Sequence, residues 1–282
     1  MISQKQTQKE FEQFLVKEYF KLGSINKVFQ EHKYNLPISF AGYDRVLSKY
    51  GVIKSAGPNS KLSESLYILS LLASYKIPLE RVYHRFAPKT IQVSTNTLHR
   101  ILHYTRLGLT RRQGAALIVT QKGKPDKVLI GNDLSLSSSS LGNKGDISLP
   151  MGHSKTGEPI RDTVARILQN EVFTNETIEN NFPWKLIPEH IKPIMYINIA
   201  DIQVSVYKLE LPKNLIHFSS FKLNKIRYQN INRLPNKNFR PGVKEILQYY
   251  SKSLISNSEE KVLVFDSELN NKIYALAKEP VK

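Results

Sequence analysis

Leu149-Pro150-Met151-Gly152, then Glu158, then Ala165-Arg166-Ile167-Leu168-Gln169-Asn170-Glu171 is the stretch on which the reading of this chain turns. On a helix, positions 167, 170 and 171 stand at i, i+3 and i+4 and share one face. That face carries an aliphatic side chain, an amide and a carboxylate. Isoleucine has no donor atom and asparagine offers one neutral oxygen. Magnesium prefers hard, charged oxygen ligands, so this face is poorly equipped to hold it.

The spacing resembles the signature of the Nudix superfamily, G-x5-E-x7-R-E-U-x-E-E-x-G-U, where U is a bulky aliphatic. Gly152, Glu158, Arg166, Leu168 and Glu171 fall at the matching positions, while Ile167 and Asn170 replace two of the signature glutamates and Met151 replaces a second glycine. The resemblance implies a strand over Asp146–Pro150 and a helix over Glu158–Glu171. It also implies Gly152 and Arg166 as ligand-binding positions, and Glu171 with Glu158 as the remaining catalytic and metal-holding carboxylates. In active members a carboxylate cluster on that helix face binds magnesium, which activates water or the pyrophosphate. With two glutamates gone, the resemblance implies binding of a nucleotide-type ligand rather than turnover.

The flanks agree with an α/β domain. Ala115–Thr120 and Lys127–Ile130 read as strands around the turn Lys122-Gly123-Lys124-Pro125-Asp126. Ile194–Ile199 and Ile202–Leu211 read as a second pair, the latter alternating until Pro212. Val243, Ile246, Leu247 and Tyr250 form the buried stripe of a closing helix, and Lys261–Phe265 suits one more strand. Asn132–Lys144, rich in serine, reads as a surface loop.

The N-terminal third has a helical period instead. Phe11, Phe14, Leu15, Tyr19 and Leu22 mark a first helix that Gly23 stops. Ser24 caps a second, with Ile25, Val28 and Phe29 inward. Ser39 caps a third, with Phe40, Tyr43, Val46, Leu47 and Tyr50 inward, and Gly51 ends it. The third-helix pattern Ser39-x3-Tyr43-x-Arg45-Val46-Leu47 returns as Ser94-x3-Leu98-x-Arg100-Ile101-Leu102, 55 residues on. Two helix-turn-helix units follow from this reading. Arg45 and Lys49 on one third helix, and Asn96, His99, Arg100 and His103 on the other, are the residues suited to reach base edges or phosphates of double-stranded DNA. His99 and His103 also have the spacing of a zinc-binding pair, but Arg100 stands where such a helix carries a glutamate.

Charge points the same way. The 282 residues hold 41 Lys+Arg against 24 Asp+Glu, a net +17, and the first 113 residues hold 18 against 7. A field of that sign draws polyanions. No cysteine is present, which excludes disulfides and thiolate metal sites and fits a cytoplasmic setting. No apolar run reaches the about 18 residues of a membrane span. Trp184, the sole tryptophan, suits core packing better than base stacking.

The expected architecture is α+β overall. An N-terminal all-α tandem helix-turn-helix region, 1–54 and 61–110, precedes an α/β/α Nudix-like sandwich with a mixed sheet over 114–254 and a C-terminal extension over 255–282. The expected function is a DNA-binding, transcription-regulating protein whose degenerate Nudix-like domain binds a nucleotide-type ligand. The alternative is a magnesium-dependent pyrophosphohydrolase acting on a nucleoside diphosphate derivative. DNA, a nucleotide and a second copy of the chain are the admissible partners. Nudix-type regulators known as a family carry the Nudix part first; the order is reversed here.

Overall fold

A computed structural model describes residues 4–54, 103–104, 107–110, 112–134, 145–215, 217–236, 238–255 and 262–271. The second helical unit, expected over 61–110, lies almost wholly outside the described residues.

Three helices form at the N-terminus: α1 (Gln4–Leu22), α2 (Ile25–Glu31) and α3 (Phe40–Lys49). Ser24 and Ser39 cap α2 and α3 as expected, their hydroxyls accepting from Lys27 N and Gly42 N. Gly23 and Gly51 end α1 and α3 at φ +78° and +63°, a region where a β-carbon is strained. Leu15, Val16, Tyr19, Phe20, Val28, Phe29, Tyr43 and Leu47 make one core. Tyr43 is fully buried, and its hydroxyl donates to Leu15 O at 2.6 Å. Phe14 and Phe40, expected inward, are 37% and 45% exposed: α1 turns Val16 and Phe20 into the core instead, and Phe40 stacks on Phe29 at 4.0 Å from the first turn of α3. α2 and α3 are joined by residues 32–39, a longer link than the three or four residues of a tight helix-turn-helix. Lys33 and Tyr34 take positive φ within it.

The rest is a mixed sheet between helices. Strands β1 (Arg112–Gln121), β2 (Lys124–Asp133), β3 (Ile147–Ser148), β4 (Met151–His153), β5 (Pro193–Ile199), β6 (Ile202–Leu211), β7 (Leu223–Asn230) and β8 (Leu263–Asp266) belong to it. The order is β3-β2-β1-β6-β5-β8, with β4 also on β1 and β7 also on β2. β1 runs parallel to β6 along its whole length, from Arg112 opposite Ile202 to Gln121 opposite Leu211. β1 and β2 pair only near their hairpin, around Thr120 and Val128. Beyond that they splay, and β3 and β4 fill the gap, Ser148 opposite Gly131 and Gly152 opposite Ala115.

Period-two alternation assigns the faces. Ala115, Leu117 and Val119 point to helix α4 (Ile160–Glu171), with Tyr207, Leu209 and Leu211 of β6 on the same side. Ala116 and Ile118, with Ile202, Val204 and Val206, point to helix α6 (Val243–Ser253). Helix α5 (Thr174–Ile178) follows α4 directly. Helices on both faces of a mixed sheet give the expected α/β/α sandwich.

Some boundaries differ from the sequence reading. The helix expected from Glu158 begins at Ile160, because Pro159 occupies the cap and Glu158 folds back onto Thr163 and Lys155 N. The further strand expected over Lys261–Phe265 forms as β8, which pairs in parallel with β5, Met195 opposite Leu263.

The helical unit is docked onto the sandwich. The Gln169 side chain, fully buried on α4, donates to Gly51 O at 2.7 Å and accepts from Ile53 N at 2.9 Å. Ile53 joins the α4-side core and Ile178 joins the N-terminal core. Trp184 lies against Gly51, and its ring meets Phe182 edge-on at 4.9 Å. Among the described residues no helix is long and apolar enough to cross a membrane.

Candidate functional site at the open end of the β1–β2 hairpin

The signature residues converge where β4 passes into α4. Gly152 faces α4, and a β-carbon there would stand 3.4 Å from Ile167 Cγ1. Ile167 is 2% exposed and part of the α4-side core, so the first replaced glutamate position has become packing. Asn170 turns its amide nitrogen back onto Arg166 O at 2.6 Å. Glu171 is buried, and its Oε2 accepts from Met151 N at 2.8 Å.

Glu158 and Arg166 form an ion pair in which each side chain is 6% exposed. Arg166 Nε donates to Glu158 Oε1 at 3.2 Å and Nη2 donates to Oε2. Burial alone would raise the Glu158 pKa; Arg166, Thr163 and the Lys155 N–H outweigh it and hold the carboxyl below its ordinary value. Its oxygens are thus committed within the protein.

Glu171 behaves oppositely. Burial pushes its pKa up from 4.5 to about 7, with Asp133 adding to the rise, against Lys222, the Met151 N–H and Arg240. Asp133, at the end of β2, is tied to Arg240 Nη1 at 2.9 Å and its side chain is 1% exposed. Arg240 is held by the chain as well, its N–H donating to Ile147 O.

On the other face of β4 stands His153, opposite Gly114. Arg112 lies two residues before Gly114 on β1 and shares that face. Arg112 Nη2 bonds Asp201 Oδ1 at 2.9 Å, and Asp201 is 2% exposed. Burial lowers the His153 pKa from 6.5 to about 4, reinforced by Arg112, Arg240 and Arg166 and opposed by a hydrogen bond with the Gln113 backbone. The imidazole is therefore neutral at pH 7.

Magnesium does not suit this donor set. Glu158 is paired with Arg166 and Asp133 with Arg240, Asn170 is turned onto its helix, and Ile167 offers nothing. Among the described residues no group of three or more His, Asp or Glu is placed to hold a metal ion.

The residues read as DNA-facing are scattered in outcome. Arg45 is exposed on α3. Lys49 is exposed, but its Nζ bonds Glu12 Oε2 at 2.6 Å. His103 is exposed beside Tyr104, with ring centroids 5.8 Å apart. Asn96, His99 and Arg100 lie outside the described residues. The sequence reading missed Arg112, Asp133, His153, Lys222 and Arg240. His153 directly follows the signature glycine and Arg240 opens the closing loop, which are the only local signals they give.

No protein-family profile matches the chain, and no curated protein matches its sequence. Among solved structures the chain is similar to a Nudix hydrolase from Nitrosomonas europaea, at 13% identity over 56% of this chain and 80% of that one, TM-score 0.40. It is similar to an ADP-ribose pyrophosphatase from Streptococcus suis at 17% identity, over 56% of this chain and 100% of that one, TM-score 0.38. It is also similar to a MutT protein from Methanosarcina mazei at 14% identity, over 52% of this chain and 96% of that one, TM-score 0.37.

Proposed function

We propose that this chain is a DNA-binding regulator whose Nudix-like sandwich binds a nucleotide-type ligand without hydrolysing it. The observation that carries the non-hydrolytic half is the inner face of α4. Ile167 is in the core, Asn170 is bonded to its own helix, and Glu171 remains as a single buried carboxylate. A pyrophosphohydrolase acting through magnesium needs several charged oxygens at that place.

The DNA-binding half draws support from charge, with 18 Lys+Arg against 7 Asp+Glu in the first 113 residues, and from the exposed Arg45 on α3. A route between the two halves is at hand. Gln169 points from the side of α4 opposite to Ile167 and Glu171, and it grips Gly51 and Ile53 of the helical unit. A ligand that favours one position of α4 thereby favours one position of that unit.

The test is calorimetric titration with a panel of nucleoside diphosphate derivatives, alongside chromatography for products with and without magnesium. Binding without product supports the reading. Magnesium-dependent turnover that Glu171→Gln abolishes establishes the hydrolase alternative instead. For DNA, fluorescence anisotropy against salt should show a steep slope that Arg45→Gln flattens. An unchanged slope removes Arg45 from the interface.

A further inference from the structure

We propose that strand β7 and the turn after it form a second DNA contact, on the sandwich, in which Lys225, Arg227 and Arg233 hold phosphates of duplex DNA. This rests on the reading that the chain binds duplex DNA, and it extends that interface beyond the helical unit. Charge is the first observation. Residues 211–257 hold nine Lys+Arg against one acid, Glu245, whereas residues 114–210 hold 10 against 11 and residues 258–282 hold 4 against 5. Beyond the N-terminal third, the positive excess of the chain is thus confined to the stretch that carries β7. A concentrated field of that sign draws polyanions.

The backbone sets the three cations in one row. β7 pairs with β2, and its outer edge has no strand partner among the described residues. Arg227 stands opposite Ile130. Its Nη1 donates to Asn132 Oδ1 at 3.3 Å and to Lys225 O at 3.0 Å, which fixes the guanidinium along the strand. Lys225 is exposed, at φ +49°, in a bulge where residues 225 and 226 face the single position Gly131. Two residues beyond Arg227, Gln229 Nε2 donates to Arg233 O at 2.7 Å and ties the exposed Arg233 to the end of the strand. Alternate positions on a strand are about 7 Å apart, close to the step between neighbouring phosphates of a nucleic-acid strand. Among the described residues no carboxylate lies within ion-pair distance of Lys225, Arg227 or Arg233. Asp126, at the end of β7, is bonded to Asn230 Nδ2 at 2.8 Å.

The strand is also joined to the helical unit. At one end of α5, Ser219 Oγ accepts from Asn175 N at 2.8 Å; at the other, Ile178 packs into the core of α1–α3. α5 has five residues, so about 8 Å of helix separates the two attachments. β7 starts four residues after Ser219. It belongs to a wide sheet and does not project as the free helix or two-stranded ribbon that a major groove admits. Its contact is with phosphates, which position a protein without reading sequence.

The experiment uses the full chain and two fluorescein-labelled duplexes of unrelated sequence, with anisotropy read across a range of salt. Lys225→Gln with Arg227→Gln weakens binding of both duplexes by about tenfold and reduces the salt slope by about 2. Lys225→Gln alone, at an exposed side chain whose loss spares the fold, reduces the slope by about 1. Lys185→Gln with Lys192→Gln removes equal charge from exposed positions in the near-neutral stretch and leaves the slope unchanged. A β7 double variant that binds as well as this control overturns the proposal; if Arg45→Gln still flattens the slope, the DNA-binding reading stands without it. Unchanged DNA affinity with new self-association in sedimentation velocity also overturns it, and assigns these cations to keeping an open sheet edge from pairing with a second copy. A loss confined to one of the two sequences overturns the phosphate assignment. Failure of the unsubstituted chain to bind either duplex overturns this contact and the wider DNA-binding reading together.

Discussion

Replacing Gln169 by leucine tests whether the helical unit and the sandwich act as one body. The glutamine amide makes two hydrogen bonds to the backbone just beyond α3, at 2.7 Å to Gly51 O and 2.9 Å from Ile53 N. Leucine has a similar volume and helix propensity, so α4 itself should persist. What is lost is the pairing of one carbonyl and one N–H. Each buried polar group left alone costs about 1–3 kcal/mol. Gly51 and Ile53 are only half-buried, so water recovers part of this, and the expected loss is about 1–3 kcal/mol for the pair together. Urea unfolding followed by circular dichroism gives the free energy. Hydrogen exchange of the Ile53 amide reads the bond itself and should accelerate. Gln169→Glu keeps the acceptor for Ile53 but faces a carboxylate toward Gly51 O, so it should be no better than leucine. A loss below about 0.5 kcal/mol, the level of an ordinary surface substitution, with Ile53 exchange unchanged, would refute the coupling.

The remaining expectations concern the signature residues. Ile167→Glu with Asn170→Glu restores three carboxylates to one helix face, and manganese binding by paramagnetic resonance should rise from undetectable to submillimolar; no gain would mean that more than these two positions blocks the ion. Glu171 has a folded pKa of about 7 against 4.5 unfolded, so its relative stabilisation is complete below pH 4.5 and is lost as pH rises through 7. Glu171→Gln should therefore gain on the wild type by about 3 kcal/mol between pH 4.5 and 8 in urea unfolding, and a pH-independent difference would contradict the raised pKa. Glu158→Gln strands the Arg166 guanidinium, itself 6% exposed, and should lose about 3–5 kcal/mol, measured by the same unfolding.

The local grammar of this chain was readable where one residue type has one use. Serine before an apolar helical period and glycine after it placed the ends of α2 and α3, because a cap needs a short acceptor and a left-handed stop needs no β-carbon. The alternation in β6 declared its two faces for the same kind of reason. β7, Leu223–Asn230, carries Asn, Lys, Arg and Gln with weak alternation, and only its place beside β2 makes it a strand. The site arginines were hidden for a different reason. Arg112 and His153 are 41 residues apart along the chain and share a sheet face only because β4 pairs with β1. Spacing rules describe one element at a time and are blind to such a meeting.

The electrostatics of the mouth show why loss of two glutamates need not leave a crippled site. Three carboxylates on one helix face repel one another unless a cation neutralises them. Here three buried carboxylates have an arginine instead: Glu158 with Arg166, Asp133 with Arg240, Asp201 with Arg112. Glu171, which accepts from Met151 N and has no ion pair, is pushed by burial to a pKa of about 7. Positive charge that a divalent ion would bring is thus covalently built in, and it sits on Arg112 and Arg240, whose outer edges remain solvent-accessible. Fixed guanidiniums neutralise these carboxylates without any ion, but they do not activate a water molecule as a metal does. Slow chemistry at this end of the sheet is what the proposed binding role expects, and product formation with magnesium is the measurement that would overturn it.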